Sequence, residues 1–484
     1  MVNNKFQNFI NGEWRASDHY TPNINPSDTN DTIGHYAVGH ADDVKDAIQA
    51  AKQSQPIWAS VTPAERASVL KRAAAAIESR SPELAILLAR EEGKALRDAE
   101  SEVRRAAQVF EFFAGEAVRN TGEVIDSYRS GLQVEMSHPP VGIVGVISPW
   151  NFPIAIPAWK IAPALAYGNS VVFKPADIAP ASAWELVNIL NDSGLPHGVL
   201  NLVMGPGVEV GKAIANSSEL DAISFTGSQR VGSQIISAAA TNGVRVQCEM
   251  GGKNPLVVVD DADLELAVKV AIDGAFFSTG QRCTASSRLI ITSGIHDEFI
   301  ELMKKEMEKL VVGNALDDKT DIGPVSNAAQ LETNMDYLAL ARAEGTHVVG
   351  GEILKRTSPG YYMEPALVID SQNEMRINQE EIFGPVASII RVEDYEEALS
   401  VANDVIYGLS AGICTTSLSL STDFRRRVQA GMVMVNAPTA GVDPHVSFGG
   451  WKASSYGHRE QGRAAREFYT KHKTSYVNSN LGGH

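Results

Sequence analysis

Cys283 lies in residues 276–287, FFSTGQRCTASS, and is one of only 3 cysteines in 484 residues. A thiol pKa near 8.5 leaves little thiolate at neutrality, but a helix N-terminus or a nearby cation lowers it and supplies a nucleophile for carbonyl carbon. Gly280 permits a tight turn ahead of it, and Arg282 is the adjacent cation in sequence. Glu249, in CEMGGKNP, follows the strand-like stretch 244–248 and precedes Gly251 and Gly252. A thiolate that bonds to a carbonyl carbon and a carboxylate that later activates water divide one reaction into two steps. Each residue also has a plainer reading. Cys283 could pack in a core, as expected for Cys248 and Cys414, and Glu249 could be a solvated loop side chain.

Other strand ends carry further polar groups. In 148–153, SPWNFP, prolines fix the backbone and Asn151 offers N–H donors for an oxyanion, or else satisfies its own turn. Lys174 and Asp177, in FKPAD, have the spacing to hold ribose hydroxyls. Gly227 and Ser228, in FTGS, open a helix whose N-terminus could face a diphosphate, although a structural turn fits equally well. Glu381 and Phe383, in EEIFGP, mark another acidic turn with no role of its own.

The elements that would position these groups alternate between helix and strand, which predicts an α/β fold. Residues 42–120 read as helices. Strands are expected at 141–148, 170–174, 199–204 and 222–226, with helices at 182–193 and from 229 to 240, the repetition of a nucleotide-binding doubly wound sheet. A second α/β series begins at 255, with strands at 256–259, 289–291 and 386–392 and helices at 263–277 and 295–310. Residues 249–253 form the junction. The alternating stretches 122–138 and 471–478 fit neither series and are expected to pair as an antiparallel flap or to meet another subunit.

A net charge of −16 argues against nucleic-acid or anionic-membrane binding. Three cysteines without metal spacing fit a reducing cytoplasm, and no metal is expected. The N-terminus shows no signal-peptide pattern, and no apolar run reaches membrane-spanning length.

Taken in order, PWNFP (149–153), KPAD (174–177), FTGS (225–228), EMGGK (249–253), GQRC (280–283) and EIFGP (381–385) resemble the aldehyde dehydrogenase superfamily over nearly the whole chain. The resemblance implies a Rossmann-type cofactor domain (1–121 and 141–252), an α/β catalytic domain (253–452) and a small β oligomerisation flap (122–140 and 466–484), in a homodimer or homotetramer. It implies that Cys283 bonds to an aldehyde carbon, that Asn151 and the Cys283 N–H hold the oxyanion, and that hydride passes to NAD or NADP. Glu249 then activates water against a thioester, with Lys160 nearby. By the same resemblance Trp150, Lys174, Asp177, Gly227, Ser228, Glu381 and Phe383 bind the cofactor, and Phe152, Trp159 and Phe448 line the aldehyde tunnel. Residues 436–445 and SSYGHREQG (454–462) resemble the 2-oxoglutarate semialdehyde (2,5-dioxopentanoate) dehydrogenases, with succinate semialdehyde or another small ω-oxo acid or aldehyde as the alternative substrate. Arg282, Arg105 and Thr439 are the candidates to receive the substrate carboxylate.

Overall fold

The computed structural model describes residues 4–478. Helices Ala41–Ser60, Pro63–Ser79, Ser81–Glu92 and Leu96–Ala117 fill the stretch expected to be helical. Thr62 and Glu65 form a capping box with Pro63 at the first helical position. Gly93 ends the third helix at φ 97°, a left-handed conformation that favours glycine. Leu96–Ala117 buries Ala99, Val103, Ala106, Phe110 and Phe113. That spacing makes one apolar face, which packs on Pro63–Ser79 and on the helix Ala155–Ala166.

One large sheet carries strands in the order Ser455–Tyr456, Arg245–Glu249, Ala222–Thr226, Ile143–Ile147, Ser170–Lys174, Leu200–Leu202, Asn8–Ile10 and Glu13–Arg15. The five central strands are parallel, and the outer ones are antiparallel. Their residues are buried on both faces, as parallel sheets covered by helices require. The chain order reverses between Ile143–Ile147 and Ala222–Thr226, so the crevice beyond their carboxyl ends is where such sheets bind ligands.

A second sheet runs in the order His347–Gly350, Ala366–Ile369, Val386–Val392, Ser286–Thr292, Asn254–Val258, Ser410–Cys414 and Met432–Val435. Strand membership changes from the first sheet to the second between Glu249 and Asn254. The second sheet turns the amino ends of its strands toward the first, because the turns before Asn254, Ser286 and Val386 hold Gly252, Cys283 and Glu381.

The alternating stretches do pair. Glu123–Asp126, Leu132–Ser137 and Lys473–Asn478 form an antiparallel three-stranded sheet, with Tyr476 opposite Val134. The flap segment expected to begin at 466 starts instead as part of the helix Ala465–Tyr469, which is packed on Ala155–Ala166. Residues 479–484 of that segment lie outside the described residues. Strands at 8–10, 13–15 and 455–456 had no counterpart in the sequence reading. They are two or three residues long, too short to show a period.

Candidate active site

Cys283 follows an unusual turn. Ser278, Thr279 and Gly280 all adopt left-handed backbone, at φ 51°, 56° and 64°. For the two non-glycine residues this costs about 1–2 kcal/mol each. The Asp98 carboxylate offsets it by accepting both the Ser278 N–H and its hydroxyl at 3.1 Å, and the Thr279 hydroxyl donates to Gly323 O at 3.2 Å. Gly280 is required there, since a Cβ would lie 2.1 Å from Gly384 O. Beyond the turn, the Asn254 side-chain amide donates to Cys283 O and Ala285 O at 2.8 and 2.9 Å.

The adjacent cation does not acidify the thiol as the sequence suggested. Arg282 turns back and donates to Asp273 O, to Gly274 O and to the Asp273 carboxylate. Burial pushes the Cys283 thiol up, with Glu381 and Glu249 adding to the effect, and a hydrogen bond from its own backbone N–H opposes it. The thiol is therefore protonated at neutrality. Its alkylation by iodoacetamide should accelerate about tenfold per pH unit between pH 6 and 9; a rate independent of pH would reveal a standing thiolate instead.

Asn151 faces this turn. Its side-chain amide donates to Gln281 O at 2.9 Å, which leaves its second N–H unassigned. The Asn151 main-chain carbonyl accepts from Lys94 Nζ at 2.7 Å, and Lys94 also donates to Glu102 at 2.6 Å. The other Glu102 oxygen accepts the Ile154 and Ala155 N–H groups, both at 3.1 Å, at the start of the helix Ala155–Ala166.

Glu249 is the last residue of its strand and only 2% exposed, so it is no solvated loop side chain. One oxygen accepts from the Ser455 hydroxyl at 2.6 Å, and the other is buried without a partner. Burial first, then the charge of Glu460, pushes its carboxyl well above the ordinary range. Lys160 does not bond to Glu249. It pairs with Glu460 and donates to Ser224 Oγ at 2.9 Å, while Trp159 Nε1 donates to Glu460 at 2.6 Å.

Cys283 borders two cavities. One, of about 270 Å³, lies at the strand-order reversal and is lined by Trp150, Asn151, Gly227, Ser228, Glu381 and Phe383, among others. Ser228 caps the helix Gln229–Asn242 by accepting from Val231 N at 3.4 Å, so the amino end of that helix opens there. The edge of Trp150 meets Phe383 at 5.3 Å. Glu381 accepts the Gly252 N–H at 2.9 Å, and burial raises its carboxyl to about 7. Gly251, at φ 78°, has no room for a side chain, because a Cβ would come within 2.3 Å of Glu381 Oε2. Further out, Lys174 Nζ donates to Asp177 at 2.5 Å, and the other Asp177 oxygen accepts the Gly207 N–H at 3.3 Å. The carboxylate, apolar walls and helix terminus suit a dinucleotide's ribose, nicotinamide and diphosphate respectively.

The second cavity, of about 400 Å³, reaches Cys283 past Phe152, Trp159 and Phe448. Trp159 and Phe448 lie 5.5 Å apart. Of the three groups expected to receive a carboxylate, Thr439 is fully buried and spent on Thr284 O and Ser286, whereas Arg282 lines the cavity with its Nη atoms on Asp273 and Gly274 and its Nε unpartnered. Arg105 lines the cavity, its guanidinium 5.9 Å from the Trp159 ring, its Nη2 donating to Gln461 at 3.3 Å and its Nε unpartnered.

Lys94, Glu102, Ser455 and Glu460 were not singled out from sequence. Glu460 and Ser455 stand inside SSYGHREQG, a stretch marked only for substrate, and no local pattern announced Lys94 or Glu102.

The sequence model of the aldehyde dehydrogenase family matches residues 14–475. The chain is 44% identical to an alpha-ketoglutaric semialdehyde dehydrogenase of Bacillus subtilis, covering 98% of each protein. It is 38% identical to a 2,5-dioxopentanoate dehydrogenase of Saccharolobus solfataricus, over 94% of this chain and 95% of the relative. Among solved structures, a betaine aldehyde dehydrogenase of Staphylococcus aureus in complex with NAD+ superposes with a TM-score of 0.95 at 34% identity, covering 98% of this chain and 95% of that one. A thiol and an amide donor at the crevice between two sheets, with a buried carboxylate whose charge acts on the thiol, agree with these matches, and the chain belongs to the aldehyde dehydrogenase family.

Proposed function

We propose that the protein oxidises 2,5-dioxopentanoate to 2-oxoglutarate, using NAD or NADP. The aldehyde enters past Phe152, Trp159 and Phe448, and Cys283, its thiol proton lost to solvent, bonds through Sγ to the carbonyl carbon as the C=O bond opens to an oxyanion. The oxyanion is held by the free Asn151 N–H and the Cys283 backbone N–H. The nicotinamide cofactor, when bound, supplies the hydride acceptor. After the hydride leaves, an acyl group remains on Cys283 as a thioester. Glu249 takes a proton from water, the oxygen bonds to the acyl carbon, and the C–S bond breaks to release the acid and the thiolate. Lys160, through Glu460, keeps charge balanced beside Glu249.

Trp150, Gly227, Ser228, Glu381 and Phe383 are assigned to the nicotinamide and diphosphate end of the cofactor, and Lys174 and Asp177 to the adenosine ribose. The sheet boundaries support cofactor and catalytic domains at 1–121 with 141–252 and at 253–452. The small sheet at 123–137 and 473–478 exposes Val124, Tyr128 and Tyr476, which supports contact with another subunit in a dimer or tetramer. Three free cysteines, two of them buried, suit a cytoplasmic enzyme. No helix among the described residues is long and apolar enough to cross a membrane.

The observation that carries the substrate assignment is Arg105. Its guanidinium stands in the aldehyde cavity with Gln461 as its one bonded partner, where a substrate carboxylate would supply an opposite charge and further acceptors. Relatives named for 2,5-dioxopentanoate or its synonym support the same reading. In a panel of 2,5-dioxopentanoate, succinate semialdehyde, glutaraldehyde and betaine aldehyde, the first should give the highest kcat/KM. Arg105→Leu should lower it about 10- to 100-fold, through KM, and leave propanal within about threefold. Equal efficiency for betaine aldehyde, or no effect of the substitution, would overturn the assignment.

A further inference from the structure

We propose that Lys94 is a positioning residue for the oxyanion hole, acting through the main chain of Asn151. The inference rests on Cys283 and Asn151 having the roles assigned above. Lys94 is fully buried, three residues before Arg97 in the turn between helices Ser81–Glu92 and Leu96–Ala117. Its ammonium has two bonded partners, Asn151 O at 2.7 Å and Glu102 Oε2 at 2.6 Å, and it lies 3.9 Å from the centre of the Phe152 ring. Glu92 is a further carboxylate at 3.8 Å.

The arrangement grips the Asn151 turn from both sides. Lys94 holds its carbonyl at residue 151, and Glu102, itself held by Lys94, accepts the N–H groups of residues 154 and 155. Together they fix the peptide planes on which the Asn151 side chain stands, so the amide is delivered to Gln281 O beside Cys283. The same segment steadies the opposite wall. Glu92 accepts from the Gln281 side chain at 3.3 Å, the Gln281 side-chain oxygen accepts the Ser326 N–H, and Asp98 holds Ser278. Residues 92–102 thus register the turn that carries the oxyanion donor against the turn that carries the nucleophile. A displacement of about 1 Å between such groups costs about 100-fold in rate.

A buried ammonium facing two carboxylates is also costly to assemble, and an apolar residue packed against the Phe152 ring would fill the space. The cation earns its place by direction: three tetrahedral N–H donors reach a carbonyl and a carboxylate on different elements at once.

The test uses a reaction that needs the thiol and the oxyanion hole but no cofactor: acylation of Cys283 by p-nitrophenyl acetate. Sulfur bonds to the acetyl carbon, p-nitrophenolate leaves, and its burst is read by absorbance. Alkylation by iodoacetamide, which forms no oxyanion, is the parallel control. Lys94→Met should slow the ester burst about 10- to 100-fold and leave alkylation within about threefold. Lys94→Gln, which keeps an N–H toward Asn151 O, should fall between Lys94→Met and the unmodified enzyme, and it carries the test if Lys94→Met does not fold. Asn151→Ala separates the two claims. An unchanged burst in that variant removes the role assigned to Asn151. A slowed burst there, with Lys94 variants unaffected, removes only the present inference. If Lys94 acts through Asn151, adding either Lys94 substitution to Asn151→Ala costs less than about threefold more; fully multiplicative losses, or alkylation falling in parallel, would show a merely structural lysine and overturn the proposal.

Discussion

Replacing Cys283 by alanine is expected to abolish formation of reduced cofactor, lowering kcat by at least about 10⁴-fold, with cofactor affinity retained. The reason is geometric. Among the described residues, Cys283 is the one that borders both the aldehyde cavity and the dinucleotide groove with a nucleophilic atom. Its removal takes away the bond that holds the aldehyde carbon in place, and leaves Glu381, Trp150 and the Ser228 helix terminus intact. Cofactor titration by fluorescence quenching and a steady-state assay on the same preparation check both halves. Residual turnover near the unmodified rate would mean that hydride leaves an unbound aldehyde hydrate.

The second large effect concerns Glu249→Gln. Acylation proceeds without this carboxylate's base function toward water, so one equivalent of reduced cofactor should appear per site, followed by a steady state slowed about 10²- to 10⁴-fold. Rapid mixing monitored by cofactor absorbance resolves the two phases. The pH dependence follows from the raised carboxyl of Glu249, held up by burial and by Glu460. Only its ionised form accepts a proton from water, so thioester hydrolysis in the unmodified enzyme should fall as pH drops through that raised value, well above 4.5. The stability linkage has the same origin. A carboxyl raised on folding favours the native state below its unfolded pKa, and that contribution is lost as pH climbs through the folded value. Glu249→Gln, which never ionises, should therefore raise Tm relative to the unmodified protein at alkaline pH and not at pH 4.

Much of this site was legible because strand ends advertise themselves. Ser170–Lys174, Ala222–Thr226 and Val386–Val392 are largely apolar runs that end or begin beside glycine or proline, and the site residues stand just after the first two and just before the third. Glu249 and Cys283 sit beside glycines that the backbone uses at positive φ, Gly251 and Gly280. What could not be read was the chemistry of partners distant in sequence. Lys160 meets Glu460 across 300 positions, and nothing near either residue records the pairing. Lys94 and Asn151 are likewise far apart in sequence, and their hydrogen bond forms only because the turn between two helices lies against the Asn151 turn. Thr439 shows a related limit on what sequence displays. Its hydroxyl looks available in sequence, whereas here the Thr284 carbonyl takes its only donor. The left-handed Ser278 and Thr279 were also hidden, since neither residue type favours that conformation and the Asp98 carboxylate and Gly323 O that hold them are distant in sequence.

The division of labour between Cys283 and Glu249 is tested most directly by mass spectrometry of Glu249→Gln, quenched in acid after its single burst with 2,5-dioxopentanoate and cofactor. The account predicts an acyl adduct on the peptide containing Cys283, with the mass of the aldehyde less two hydrogens, in amount equal to the reduced cofactor formed. Reduced cofactor formed in full with Cys283 unmodified would contradict it.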